Sequence, residues 1–336
     1  MKYIITAQSA SEPYVAKYVY NNFGTNVKWI SKNNGIAVMD CALSPIELNR
    51  FLEESRECFI RHLFPVSLEN VIDGILLTDL VLETAHIGLD ISESFSIQYR
   101  VLDREVKEDI HENIRSIKKE LVAEGYTYDE CSPKQIVSIL ISNNKAFIGA
   151  NDAYLNRSLK NGGIIRYKVT DDFISRAEFK LLEIFDTCDF SIPGGAKALD
   201  IGAAPGGWTK ALVNKGCLVY SVDPGRLSEK IISNKSVKYF QESAQRFLYR
   251  KLDLKFDFIV NDMKMDGVKS FQMMLEMMSM AKGSTNFIFT IKLPKKRWDA
   301  YLKKLLQLMD ESVEVIFLRQ LSYNRSEVMA VFRRKE

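Results

Sequence analysis

The sequence predicts an α/β protein: a doubly wound, mostly parallel sheet from about residue 175 onward, preceded by small α+β domains. Three observations carry this. From residue 175, apolar strand-like runs alternate with helical stretches, the pattern of a parallel sheet covered on both faces. The first of these runs ends in a glycine-rich turn, LDIGAAPGGW, Leu199 to Trp208. Before residue 75 the order is instead strand, helix, strand, strand, helix, which suits a ferredoxin-like domain.

Composition bounds the rest. A chain of 336 residues has room for two or three domains, each with its own core. A net charge of +3 names no partner; a nucleic-acid surface would show itself by clustering of charge. The five cysteines (41, 58, 131, 188 and 217) are scattered and form no CxxC. That pattern points to reduced thiols in a cytoplasmic protein and against a metal centre. No apolar run approaches the roughly 18 residues of a membrane span. The start, MKYIITAQSASEPY, turns polar too soon for a signal peptide. Nothing in the sequence indicates an oligomeric state.

In chain order, KYIITA opens as a strand, and EPYVAKYVYNNF follows as a helix with Pro13 in its first turn, where a missing N–H costs little. NVKWIS and GIAVMDCAL read as strands. SPIELNRFLEES reads as a helix with Ser44 as N-cap and Glu47 completing a capping box. This first domain is expected to span 1–75. A second unit, expected over 80–155, holds the strand FSIQYRV, the helix DIHENIRSIKKELVAEG closed by Gly125, and a hairpin of IVSILIS and AFIGA turned at Asn143-Asn144. The Gly-, Asn- and charge-rich stretch at 156–174 is the candidate linker.

The third unit, 175–336, contains the strands KALDIGA, CLVYSVD, VKYFQ, FDFIVNDM, FIFTIKL, EVIFLRQ and EVMAVFRR. Between them lie the helical stretches GWTKALVNKG, RLSEKIISNK, SFQMMLEMMSMAKG and KRWDAYLKKLLQLMDES. The last strand is expected to form an antiparallel edge. The methionines at 273–280 read as core filling, which an unbranched, adaptable side chain suits.

In an open α/β sheet, ligands sit beyond the carboxyl ends of the strands. The turn Gly202-Ala203-Ala204-Pro205-Gly206-Gly207 stands at the first such end, and Asp223, 21 residues after Gly202, closes the next strand. An acid there is suited to hydrogen-bond ribose hydroxyls. A dinucleotide turn needs GxGxxG. Here Ala204 replaces the second glycine and Pro205 removes an N–H donor, so the turn is poorly equipped for pyrophosphate. A ligand with a ribose and an amino-acid tail fits better, and S-adenosylmethionine is one.

Histidine occurs only at 62, 86 and 111, upstream of this unit, so any base within it must be Lys, Asp, Glu or Tyr. Asp262 ends FDFIVND, Lys292 ends FIFTIK, Glu327 opens EVMAVF, and Lys180 lies in the helical SRAEFKLLEIF. Charged residues at the carboxyl ends of parallel strands point into the crevice, and Glu327 would reach it from the antiparallel edge strand. Two adjacent lysines lower each other's pKa, so one of them is expected to be neutral and able to accept a proton from a weakly acidic hydroxyl, with the two acids orienting the pair.

DIGAAPGGWT, VYSVD, NDM…TIKLPKKRW and NRSEVMAVFRR resemble FtsJ-type RNA 2′-O-ribose methyltransferases. IKLPKKRW and SYNRSEV most resemble the 23S ribosomal RNA 2′-O-ribose methyltransferase M family. The resemblance implies a Rossmann-like methyltransferase domain using S-adenosylmethionine on RNA, with a cytidine of 23S ribosomal RNA as target. It implies a catalytic tetrad of Lys180, Asp262, Lys292 and Glu327, with Lys292 as proton acceptor. The implied cofactor contacts are Ser175, Gly202, the Ala204-Pro205-Gly206-Gly207 turn with Trp208, Asp223, Asp262 and, where the family usually has an acid near adenine, Ser243 after Glu242. The N-terminal half resembles the family in layout, a ferredoxin-like domain followed by a THUMP RNA-binding domain whose closing strand AFIGAND resembles. Lys295, Lys296, Arg297 and Arg325 are expected around the mouth as RNA contacts, with Trp298 free to stack on a base.

Other readings stand beside this one. A base methyltransferase would need an [ND]PP[YF]-type turn after the fourth strand, and NDMKM is not one. A different RNA such as tRNA, a non-catalytic ribosome-assembly factor keeping the fold, and a dehydrogenase remain open from the sequence.

Overall fold

A computed structural model describes residues 1–72, 77–103 and 107–335. They form two units, Met1–Ile164 and Ile165–Glu336.

The first unit begins with β1 (Lys2–Ala7), α1 (Glu12–Phe23), β2 (Lys28–Ser31), β3 (Ile36–Asp40), α2 (Pro45–Glu54) and β4 (Ile60–Pro65). The sheet order is β2-β3-β1-β4 with every neighbouring pair antiparallel, the split βαβ arrangement of a ferredoxin-like fold. Ser44 caps α2 as expected: Glu47 N donates to its hydroxyl, and the Glu47 carboxylate accepts from Ser44 N at 2.8 Å. Sequence reading missed β4, because IRHLFP carries Arg61 and His62 and ends in proline. In the fold all six residues are buried, and Arg61 donates to the Ala7 carbonyl at 3.0 Å.

A second sheet in the same unit comprises β5 (Leu68–Val71), β6 (Phe95–Val101), β7 (Gln135–Ser142) and β8 (Lys145–Asp152), in the order β5-β8-β7-β6. It is flanked by α3 (Leu77–Gly88) and α4 (Lys107–Ala123). Neither β5 nor α3 was read from the sequence. The hairpin was: Asn143 and Asn144 hold φ of 53° and 57°, and Ser142 pairs with Lys145, as a two-residue type I′ loop requires. The two sheets share an apolar cluster in which Ile4, Ile36 and Phe64 meet Leu140 and Phe147. The boundary expected near residue 75 lies outside the described residues.

The second unit contains α5 (Ala177–Thr187), β9 (Lys197–Ile201), α6 (Gly207–Asn214), β10 (Leu218–Val222), α7 (Glu229–Ile232), β11 (Val237–Phe240), α8 (Ala244–Tyr249), β12 (Phe256–Asn261), α9 (Gly267–Glu276), β13 (Ala281–Lys292), α10 (Trp298–Ser312), β14 (Val313–Arg319) and β15 (Glu327–Arg334). Its seven strands run β11-β10-β9-β12-β13-β15-β14, so the order reverses between β9 and β12. β15 is antiparallel to both its neighbours and lies inside the sheet, with β14 outside it. The expected antiparallel edge is therefore an antiparallel interior strand. Three details also differ from expectation. The helix expected over 226–235 shrinks to the four residues of α7, α8 was not foreseen, and Ala281–Gly283, read as a helix end, begins β13. Met273, Met274, Met277 and Met280 are buried, as core filling demands.

The stretch expected as a linker is partly built in. Ile165 N donates to Ser322 Oγ at 2.9 Å and Tyr167 N to the Tyr323 hydroxyl at 2.8 Å. The Tyr167 ring stacks on Phe179 and Tyr323.

Candidate active site

The turn after β9 is shaped first by the protein's own packing. Gly202 has φ +77°, and a Cβ there would stand 2.4 Å from Met263 Cγ and 3.1 Å from its Cα. Gly206 has φ +113°, and its Cβ would stand 2.7 Å from Ile231 Cγ2. At Gly207 a Cβ would meet Ser175 Oγ at 2.4 Å and Glu178 N at 3.0 Å. Side chains are thus excluded at these three positions by the neighbouring chain itself. Ala204 is half-buried and Pro205 exposed.

Asp223 closes β10 and braces this turn. Its Oδ2 accepts from Ala204 N at 3.1 Å and its Oδ1 from Gly225 N at 2.6 Å. A carboxylate has about four lone-pair sites, so acceptor capacity remains after these two bonds. Ser175 Oγ, beside Gly207, is buried with no hydrogen-bond partner. Ser243 caps α8, its hydroxyl accepting from Arg246 N at 3.3 Å. Trp208 departs from expectation. Its side chain is buried in the core between α5 and α6, with Nε1 donating to the Ala177 carbonyl at 2.7 Å, because the helical phase of α6 turns it inward.

Lys180, Asp262, Lys292 and Glu327 meet at the carboxyl ends of β12 and β13. Lys292 Nζ lies 2.7 Å from Asp262 Oδ1 and 2.7 Å from Glu327 Oε1. Lys180 Nζ lies 3.1 Å from Asp262 Oδ2 and 2.7 Å from Glu327 Oε2. The result is a closed ring in which each ammonium bridges both carboxylates. Glu327 owes its place to register: as the first residue of β15 it pairs with Lys292, the last of β13. Lys292 has the most open side chain of the four, 22% exposed against 10% for Lys180, so it faces the mouth.

The electrostatics reverse one expectation. Burial is the largest influence on Lys292 and pulls its pKa down, but Asp262 and Glu327 together outweigh it and hold the ammonium above its ordinary value. Burial likewise pushes Glu327 up, and Lys180 and Lys292 bring it below the usual carboxylate range. Two carboxylates against two ammoniums leave Lys292 charged in this state. The like charge of Lys180 does not neutralise it.

Two further residues, missed in the sequence, organise this ring. Glu183 is buried one helical turn beyond Lys180 on α5, and its carboxylate accepts from Ser322 N and Oγ at 3.0 Å. That anchors the loop before β15. In the same loop Asn324 Oδ1 accepts from Leu321 N at 2.8 Å, and Asn324 Nδ2 reaches Glu327 Oε2 at 3.4 Å. The i, i+3 spacing from Lys180 was the available signal for Glu183. Asp200, at the foot of the turn, is the third miss: burial pushes its pKa up to about 7, with Thr209 donating to it at 2.7 Å.

Lys295, Lys296, Arg297 and Arg325 are exposed on the loops after β13 and before β15. Trp298 is not. It is 5% exposed, and its Nε1 donates to the Pro294 carbonyl at 2.6 Å, closing the loop into α10. A ring so held is no stacking platform; it tethers the basic loop instead.

The FtsJ-like methyltransferase family matches residues 173–336. The ribosomal RNA large subunit methyltransferase M of Idiomarina loihiensis is 30% identical over 196 residues, covering 54% of this chain and 52% of its own. The protein of that name from Pseudomonas fluorescens is 29% identical over 230 residues, covering 65% of this chain and 63% of its own. The chain thus spans between about half and just under two-thirds of these curated relatives. Among solved structures, TrmN from Thermus thermophilus aligns over 100% of both chains at 12% identity and a TM-score of 0.38, too loose a likeness to carry an argument.

Proposed function

We propose that the protein, whose residues 173–336 match the FtsJ-like methyltransferase family, methylates a ribose 2′-hydroxyl of RNA from S-adenosylmethionine, with a cytidine of 23S ribosomal RNA as its target. The observation that carries this reading is the closed ring of Lys180, Asp262, Lys292 and Glu327 beside the glycine turn. The relatives named as large-subunit ribosomal RNA methyltransferases support the choice of RNA.

The residues present fit the cofactor. Asp223 keeps acceptor capacity for ribose hydroxyls, and the unpartnered Ser175 Oγ offers a buried hydroxyl to an amino-acid tail. Gly202 and the Ala204-Pro205-Gly206-Gly207 turn form the wall between them. Ser243 spends an acceptor site on its cap and keeps its hydroxyl proton for a purine nitrogen. S-adenosylmethionine, when bound, supplies an electrophilic methyl on a sulfonium cation. Lys292, in its neutral form, would take the proton of the 2′-hydroxyl at Nζ as that oxygen displaces a neutral thioether, the sulfur keeping the electron pair of the broken bond, from the methyl carbon. Asp262 and Glu327 aim the Nζ lone pair and then hold the ammonium that forms. Lys180 keeps both carboxylates oriented.

The first unit serves as the RNA reader in this proposal, a ferredoxin-like domain over 1–75 and a THUMP-type domain over 80–155, joined through 156–174 to the catalytic domain at 175–336. Lys295, Lys296, Arg297 and Arg325 hold phosphates at the mouth. A ribosomal RNA substrate puts the protein in the cytoplasm.

The test is methyl transfer from labelled S-adenosylmethionine to ribosomal RNA from cells lacking the gene, followed by mapping of 2′-O-methyl groups. One new 2′-O-methyl in 23S RNA, absent with Lys292→Ala, is the expected result. Label on a base, or on no RNA, overturns the proposal.

A further inference from the structure

At the opposite end of the second unit's sheet lies a concavity that methyl transfer does not use. It opens where β12, β13 and β14 begin and β15 ends. An open groove of about 930 Å³ is lined there by Gly283, Ser284, Asn286, Glu314, Arg333 and Arg334, among others. The length of β12 puts it roughly 20 Å from the tetrad.

The groove has a constructed wall. β12 and β13 pair at Phe256↔Ala281 and next at Phe258↔Asn286, so Lys282–Thr285 bulge out opposite the single residue Asp257. The bulge is tied at its base. Lys282 N donates to Thr285 Oγ1 at 2.8 Å, Thr285 Oγ1 donates to the Phe256 carbonyl at 2.6 Å, and Lys282 Nζ holds Asp257 at 2.7 and 2.8 Å. Bulges re-aim backbone where a site needs it. At the tip, a Cβ on Gly283 would meet nothing within 4 Å. Packing does not demand glycine there, and its absence of side chain leaves main chain open to the groove.

The opposite wall is cationic. Arg333 Nε donates to Asn286 Oδ1 at 2.9 Å, which fixes the guanidinium plane and leaves its two outer nitrogens unspent. Arg334 adds a second exposed guanidinium. Among the described residues neither arginine is in an ion pair, although Glu314 stands opposite Arg333 in register. Asp257, also in the lining, is already neutralised by Lys282.

We propose that this groove binds a phosphate-bearing ligand of nucleotide chemistry, gripped by the Arg333 fork and Arg334 against the Gly283–Ser284 tip. A planar, pre-oriented guanidinium matches phosphate oxygens two at a time. The volume is far larger than a lone phosphate needs and falls within the range of small-molecule sites. Ser284 and Asn286 supply the hydroxyl and amide that ribose hydroxyls require. Such a unit comes either as a free nucleotide or as one link of an RNA chain; in the second case the inference rests on the RNA-methyltransferase reading.

The probes are cytidine 5′-diphosphate and a short single-stranded RNA, titrated calorimetrically into the full chain. Wild type is compared with Arg333→Gln/Arg334→Gln and, separately, with Ser284→Glu, which leaves β15 untouched. Both variants should bind at least one probe tenfold or more weaker, while S-adenosylmethionine binding and methyl transfer to a minimal RNA stay at wild-type levels. Loss confined to the diphosphate identifies a free nucleotide as the occupant. Loss confined to RNA, with the salt slope falling by about 0.7 per phosphate contact removed, identifies the chain. Wild-type binding of both probes by both variants, or binding of neither probe by wild type, overturns the proposal. Because methyl transfer is read separately, its failure cannot be mistaken for failure of the groove.

Discussion

Lys180 and Lys292 share one oxygen: Asp262 Oδ1 lies 3.2 Å from the first ammonium and 2.7 Å from the second. Asp262 is therefore the joint through which the two lysines sense each other. Asp262→Asn keeps the volume and removes the charge, leaving two ammoniums to one carboxylate. Methyl transfer should fall at least about a hundredfold, the lower range for disabling acid–base machinery. Single-turnover kinetics with saturating cofactor measure this, and a rate within a few-fold of wild type would contradict the role given to the ring.

Arginine at 292 keeps the charge but cannot be deprotonated in a protein. Lys292→Arg should bind S-adenosylmethionine about as wild type does and lose roughly 10²–10⁴-fold in rate. Retained activity would mean that Lys292 only positions substrate.

The raised pKa of Lys292 sets the sign of the pH dependence. The neutral amine is scarce below the ordinary lysine value of 10.5 and grows tenfold for each pH unit. The logarithm of the single-turnover rate should climb with a slope near one between about pH 7 and 9. A flat profile would assign the proton to another acceptor.

Turn and ribose-binding variants should separate stability from affinity. Gly206→Val puts a branched residue at φ +113° and against Ile231, so it should lower the melting temperature of the ligand-free protein. Asp223→Ala should melt closer to wild type and bind S-adenosylmethionine about ten- to a hundredfold more weakly, as for a lost charge-assisted hydrogen bond. Thermal unfolding and calorimetry on both variants would expose any reversal.

In the basic loop the same separation applies. Neutralising Lys295, Lys296 and Arg297 should weaken RNA binding and flatten its salt dependence, with little change in stability. Trp298→Ala should cost about 3–5 kcal/mol of stability, as for a large buried aromatic. Loss of RNA affinity from Trp298→Ala at unchanged stability would restore the stacking role.

His62 gives the first unit an acid sensitivity. Burial is the main cause that lowers its pKa from 6.5 to about 4, while Gln98, 3.0 Å away, works the other way. The unfolded chain binds the proton more readily, so this contribution is complete above pH 6.5 and is lost as pH falls toward 4. At most about 3 kcal/mol is involved. Urea unfolding at pH 7 and 4.5 should show a smaller difference for His62→Gln than for wild type.

Much of this was legible where short-range chemistry decides. The capping box at Ser44 and Glu47, the Asn143-Asn144 turn and the alternation after residue 175 each depend on neighbours in sequence. Asp262, Lys292 and Glu327 were found because strand ends carry the crevice, and Lys180, on a helix, through the resemblance to the family's tetrad. What escaped depends on distant partners. IRHLFP looks polar until Ala7 and Gln98 accept its donors, and Trp298 looks exposed until its indole N–H is known to donate to the Pro294 carbonyl. The charge state of Lys292 could not be read from the presence of Lys180, because it is set by which oxygens lie within 3 Å.

The interior placement of β15 bears on how the second unit forms during synthesis. β13 and β14 leave the ribosome before the strand that separates them, so the sheet must keep a vacant lane or admit β14 late. Glu327 arrives with the strand that fills this lane. Until then the two lysines have Asp262 alone between them, and two ammoniums repel each other around a single carboxylate. The ring is therefore completed by the same docking event that fills this lane, and on the proposed reading methyl transfer waits until β15 has docked.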